Sequence, residues 1–138
     1  MGVRTAFMVD TILGLVFGIG FVVAPGALLS IFGIAYDVGT LYVGQLLGAA
    51  FIALTVIVWF ARDSSDTRLV RAVMMGLLVF DVIGVVVSVA AVLGGVMNEL
   101  GWLVVAVLAL PALGKLYLLL MKPGAAVERL PGGGSPGE

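Results

Sequence analysis

Residues 72–97 read AVMMGLLVFDVIGVVVSVAAVLGGVM, a run of 26 positions with one charged side chain, Asp81. A hydrocarbon core about 30 Å thick takes roughly 20 helical residues to cross, so a run this long and apolar reads as a membrane-spanning helix. Three more windows read the same way. They cover residues 6–24 with Asp10 as the one charge, residues 41–61 with none, and residues 100–121 with Lys115. Together the four windows hold 88 of the 138 residues. The composition agrees: 62% of residues are hydrophobic, 11% are charged and the mean hydropathy is +1.28, whereas a soluble domain has about a quarter of its residues charged. The expected fold is therefore all-α, a membrane-embedded four-helix bundle over residues 1–122. Residues 123–138, eight of them Gly or Pro, are expected to form a disordered cytoplasmic tail.

The same composition removes several kinds of chemistry. With no Cys and no His there is no thiolate nucleophile, no disulfide, no Cys/His zinc site and no imidazole base. A net charge of −1 offers no basic excess for nucleic acid. Gly132-Gly133-Gly134-Ser135 is not a phosphate loop, because no strand precedes it and no helix follows. No cofactor and no metal are expected.

Four spans place the N-terminus, the second loop and the C-terminus on one side. That side carries Arg4, Arg62, Arg68, Arg71, Lys122 and Arg129, while residues 25–40 and 98–99 carry no Lys or Arg. Cations collect on the cytoplasmic side of such proteins, so both termini are expected there, in an inner or plasma membrane. Tyr36, Tyr42 and Trp102 then fall near the outer boundary and Trp59, Phe60 and Tyr117 near the inner one, the depths amphipathic rings prefer. The first window is read as a span rather than a cleavable signal peptide, since Asp10 interrupts it and Pro25 would follow the cut. Between the first two spans, residues 27–34 are apolar but too short to cross, and are expected to lie in the outer interface after a break at Pro25-Gly26. Only Asn98 and Glu99 separate the last two windows, which must be antiparallel neighbours.

Small residues recur at helical spacing. Gly14 and Gly18, and again Gly44 and Gly48, make flat strips that let backbones approach, while Gly84, Ser88 and Gly95 share the Asp81 face. Pro111 should kink the last span one turn before Lys115. These strips are expected to join helices within the chain, or to join it to a second copy or a membrane partner.

Chemistry, if any, rests on the polar groups inside the hydrocarbon. A charge at the bilayer centre costs about 2.5–3.5 kcal/mol, so Asp10, Asp81 and Lys115 need partners or water. At about 1.5 Å rise per residue, Asp10 lies roughly 9 Å beyond Arg4, Lys115 roughly 10 Å inside Lys122 and Asp81 roughly 15 Å beyond Arg71. The three are within reach of one another, with Lys115 as the hub. Gln45, roughly 26 Å from Arg62, approaches Asp81 only partway. Two acids and one base leave one negative charge over, which a proton would neutralise, as in proton-coupled transport. Snorkelling of Lys115 and Asp10 toward the inner face is the plainer alternative. Four helices are too few to enclose a retinal on Lys115.

The favoured role is a structural or accessory bundle that binds itself or a membrane partner within the lipid bilayer. The alternative is a small-solute or proton-coupled transporter using Asp10, Asp81 and Lys115, and a membrane enzyme ranks third. Gly18 to Pro25, Phe32-Gly33, Gly44-Gln45-Leu46-Leu47-Gly48-Ala49-Ala50 and Asn98-Glu99-Leu100-Gly101-Trp102 resemble the pattern of small prokaryotic four-helix membrane protein families of unknown function, over residues 4–121. In that pattern an Arg often stands where Gln45 is and a neutral residue where Lys115 is. The resemblance implies a fold, no activity and no functional residue.

Overall fold

Two aspartates set where the middle spans begin. Asp37 Oδ1 accepts from the Thr40 backbone N–H at 2.8 Å and from the Thr40 hydroxyl at 2.7 Å, and Asp66 Oδ1 accepts from the N–H groups of Arg68 and Leu69 at 2.9 and 3.3 Å. Each satisfies amides that the first helical turn leaves without a carbonyl partner. The computed structural model describes residues 2–121, which form five helices: α1 (Val3–Val23), α2 (Pro25–Ile31), α3 (Val38–Ala61), α4 (Thr67–Leu93) and α5 (Gly101–Met121). The fold is an all-α bundle. α1, α3, α4 and α5 are each long and apolar enough to cross a bilayer, and the chain is a multi-pass membrane protein. The expected tail at 123–138, with Lys122 and Arg129, lies outside the described residues.

The Asp37 cap makes stability depend on pH at this end. The Thr40 N–H and hydroxyl hold the Asp37 carboxyl below its ordinary value, so the folded state binds its proton less readily than the unfolded chain. The stabilisation is complete above the unfolded value of about 3.9 and is lost as pH falls through the lower, folded one. Asp37→Ala is expected to lower the thermal midpoint in detergent at pH 7. The gap from the unmodified protein should close as pH drops below about 4; a gap independent of pH would show that the carboxylate charge plays no part.

Several boundaries differ from those the apolar runs predict. The third span ends at Leu93 rather than Met97, because Gly94 caps α4 and Gly95 follows at φ +73°, a conformation that glycine adopts without a Cβ penalty. Val96 and Met97 N–H groups then turn back to Ala91 O at 2.9 and 3.1 Å. The link to α5 is therefore residues 94–100 and not two residues, and Gly95 leaves the Asp81 face. Pro25 does not merely break the first helix. It stands at the start of α2, where its missing N–H is no loss, and Ala24 is the corner between the two helices. The interfacial segment is thus mostly helical.

In cross-section the long helices run in the order α1, α3, α4, α5 around the bundle, and they pack as two pairs. α1 lies against α3, and α4 against α5, over most of their lengths, while α1–α5 and α3–α4 touch sparingly. The first pair meets through the small residues. A Cβ on Gly48 would stand 2.7 Å from Gly18 O, and one on Gly18 would stand 3.2 Å from Gly48 O. The second pair closes at Gly84 against Leu108 and at Gly101 against Val92. Across the seam between pairs, Ala6, Phe7, Val58, Ala61, Met74 and Leu118 form a core at the Arg-bearing end. At the opposite end Asn98 N–H donates to Phe32 O at 2.8 Å and Asn98 Nδ2 to Ile31 O at 2.9 Å, fastening α2 to the α4–α5 link. Outward-facing side chains such as Val16, Leu46, Val86 and Leu110 are exposed, as a surface solvated by acyl chains requires.

Candidate functional site

Ala112, Lys115 and Leu118 recur every three residues on α5 and are all buried, so Lys115 sits on the stripe that faces the bundle. Met74, Asp81 and Ser88 make the equivalent buried stripe on α4, seven residues apart. Asp10 follows the buried Ala6 and Phe7 on α1. These registers converge on one point. Lys115 Nζ donates to Asp10 Oδ1 at 2.8 Å and to Asp81 Oδ2 at 2.5 Å, with the Lys115 side chain 1% exposed. Lys115 is therefore held inside the bundle and does not snorkel. Its bond to Asp81 lies within a helix pair, and its bond to Asp10 crosses the seam.

With all three groups ionised the cluster carries one net negative charge. The distribution is uneven: Asp10 Oδ2 is buried and receives no hydrogen bond from any described residue. Burying a carboxylate oxygen without a donor is costly in a low-dielectric interior. The other polar groups nearby are internally satisfied, since the Thr11 hydroxyl donates to Phe7 O at 2.7 Å and the Thr55 hydroxyl to Phe51 O at 2.8 Å. Gln45 stands apart from the cluster. Its Nε2 donates to Val22 O at 3.3 Å and ties α3 to the end of α1.

Above the charged cluster, on the side away from the arginines, the two helix pairs leave a cavity of about 490 Å³. Asp10 and Asp81 are part of its wall at the inner end, and Leu29, Phe32 and Ile34 close it at the other. Between them the wall is mostly apolar, with Phe17 and Phe21 from α1, Phe51 from α3 and Phe80 from α4, and Thr55 and Ser88 as its hydroxyl-bearing members. Phe21 and Phe51 stack at 6.5 Å and Phe51 meets Phe80 edge-on at 5.6 Å. Leu47 and Leu54 on α3 and Ile83 and Val87 on α4 line the cavity and are exposed, where α3 and α4 touch sparingly. The open side therefore lies along α3 and α4, toward lipid.

Of the small residues, Gly14, Gly18 and Gly48 are covered inside the chain, where an added Cβ would meet Thr55, Ile52 and the Gly18 backbone respectively. Gly44 lies against Pro25 and Phe21. Gly84 packs on Leu108, and Ser88 is buried on the cavity wall. α5 runs through Pro111, which also lines the cavity. At the Arg end, Asp63 pairs with Arg62 at 2.9 Å and with Arg4 at 3.5 Å, and the Arg62 guanidinium lies 3.2 Å over the Trp59 ring. Among the described residues no group of acidic side chains has the spacing of a metal site. The phenylalanine wall is the part of the candidate site that residue types alone did not single out. Its one signal was that Phe17, Phe51 and Phe80 fall well inside the spans and away from the interfaces, where aromatic rings gather.

These features define a class, a multi-pass helical membrane bundle with an internal charged cluster. No family model matches the chain, nor does any curated protein or any solved structure.

Proposed function

We propose that this chain holds or passes a small, mainly apolar solute in the cavity between its two helix pairs, with Asp10, Asp81 and Lys115 at the inner end. The observation that carries this reading is the cavity itself, about 490 Å³, open toward lipid and floored by two carboxylates. Binding sites for small molecules have volumes of about 300–1,000 Å³, apolar walls and a few convergent polar groups. Ionisable residues at this depth mark solute and proton pathways more often than they mark surfaces. The alternative of an accessory bundle that docks through its small-residue strips is less well supported, because Gly14, Gly18 and Gly48 are covered within the chain.

The reading places the protein in a prokaryotic inner or plasma membrane with both termini cytoplasmic. Arg4, Arg62, Arg68 and Arg71 all sit at the end where α1 begins, α3 ends and α4 begins, which supports that orientation by the positive-inside rule.

A diazirine-bearing dodecanol tests the cavity in lipid nanodiscs. Photolabelling is expected to saturate, to be displaced by unlabelled dodecanol and to map to residues such as Phe17, Phe51 and Ser88. Val104→Trp, which puts an indole into the cavity from α5, should weaken it. Labelling that never saturates and falls only on outward residues such as Leu46 and Val86 would overturn the reading.

A further inference from the structure

We infer that the cavity is a site for a monovalent lipophilic amine, with the ammonium on the carboxylates of Asp10 and Asp81 and the apolar body among Phe17, Phe51 and Phe80. The inference rests on the cavity reading above and adds the chemical class of the occupant.

Charge argues first. The spanning helices hold three ionisable side chains deep in the hydrocarbon, Asp10, Asp81 and Lys115, and with all three ionised these sum to −1. A carboxylate or phosphate entering the cavity would add to that surplus where little solvent screens it. A neutral alcohol would leave the surplus as it is. One ammonium cancels it, whereas two would invert it.

Hydrogen bonding points the same way. Lys115 occupies one oxygen of each carboxylate, Asp10 Oδ1 and Asp81 Oδ2. Asp10 Oδ2 is buried and accepts nothing from the described residues, so the site lacks a donor and not an acceptor, and the Asp10 carboxylate must turn toward the cavity to meet one. An ammonium supplies up to three donors with charge, and such bonds are about twice as strong as neutral ones.

Shape completes the argument. Both acids lie at one end of the cavity and the remaining wall is apolar and aromatic apart from Thr55 and Ser88. A ligand that satisfies both ends has its cation at one extremity and a hydrocarbon or aromatic body behind it. A bare alkali ion satisfies the carboxylates and leaves the apolar wall uncovered.

The experiment ranks dodecylamine, dodecanol and dodecanoate as competitors of the diazirine alcohol in nanodiscs, with the lipid-phase concentration of each measured. In the unmodified protein dodecylamine is expected to compete about tenfold more strongly than dodecanol, and dodecanoate more weakly than either. Asp10→Asn and Asp81→Asn each leave Lys115 one carboxylate and a cluster of zero net charge. In each the ratio of amine to alcohol potency should fall to within about twofold. Equal potency in the unmodified protein, or a preference for amine that both variants keep, would overturn the cation site while leaving a saturable cavity intact. Absence of saturable labelling by the alcohol itself would overturn the cavity reading and this inference with it.

Discussion

Lys115→Met is expected to lower unfolding stability by about 3–5 kcal/mol, as removal of one partner from a buried ion pair does. The loss comes less from the missing hydrogen bonds than from what stays behind. Asp10 and Asp81, with side chains 10% and 8% exposed, would face each other with no cation between them. Protonation of one or both carboxyls limits the penalty but does not replace the charge-assisted bonds that left with the ammonium. Methionine keeps the length and apolar stem of lysine, so lost packing contributes little. The comparison that isolates charge is the triple variant Lys115→Met/Asp10→Asn/Asp81→Asn, which buries amides and no ions and should recover most of the loss. Arg68→Met, on an exposed residue of α4, should change stability by less than about 0.5 kcal/mol. Unfolding in mixed micelles measures all three, and a Lys115→Met loss no larger than that of Arg68→Met would show that the cluster holds nothing together.

The second large effect is expected at Gly48. A Cβ there would lie 2.7 Å from Gly18 O and 2.9 Å from both Phe21 Cβ and Val22 Cγ2. The obstacle includes backbone, which cannot swing aside, so α1 must separate from α3. Gly48→Val should cost about 3 kcal/mol, the upper end of what overpacking usually costs. In a bilayer such close backbone contact is the chief attraction between helices, because lipid tails are as apolar as leucine. Gly76 supplies the contrast. It is exposed on α4 and a Cβ there would meet nothing within 4 Å, so Gly76→Ala should raise stability by about 0.5–1 kcal/mol through helix propensity. If Gly48→Val proves as harmless as Gly76→Ala, the strip is not what joins the first pair.

The sequence and structure agree where hydrocarbon thickness decides. Four apolar runs of sufficient length leave a chain no option but four helices, since backbone amides have no other partner in lipid. They part where a run stays apolar but the backbone turns. Val92, Leu93, Val96 and Met97 look like continuous helix to any hydropathy reading, and only the paired Gly94 and Gly95 mark the end. The start of α4 was legible in principle through the Asp66 cap, which extends the helix five residues before the apolar run begins. Axial rise put Lys115 within reach of Asp10 and Asp81, because depth along a spanning helix is nearly a count of residues, but it left snorkelling open, and the hydrogen bonds of the structure decide for contact. Rotation is harder to read than depth, and Gln45 turns to the end of α1 rather than inward. The cavity was not legible. Periodicity tells which side of each helix faces its neighbours, but it carries no information on whether the two pairs close fully against each other.

The open side of the cavity has a consequence for how occupancy is set. Core residues at one end and α2, fastened by Asn98, at the other leave the flank along α3 and α4 as the approach. On the proposed reading, a solute would first dissolve among acyl chains and then step sideways into the bundle. The bilayer would then be both reservoir and filter, and fractional filling would follow mole fraction in the lipid, not concentration in water. Two molecules with the same intrinsic fit but tenfold different partitioning would half-fill the site at aqueous concentrations tenfold apart. Thickening or stiffening the acyl layer would shift those concentrations with every residue of the protein unchanged.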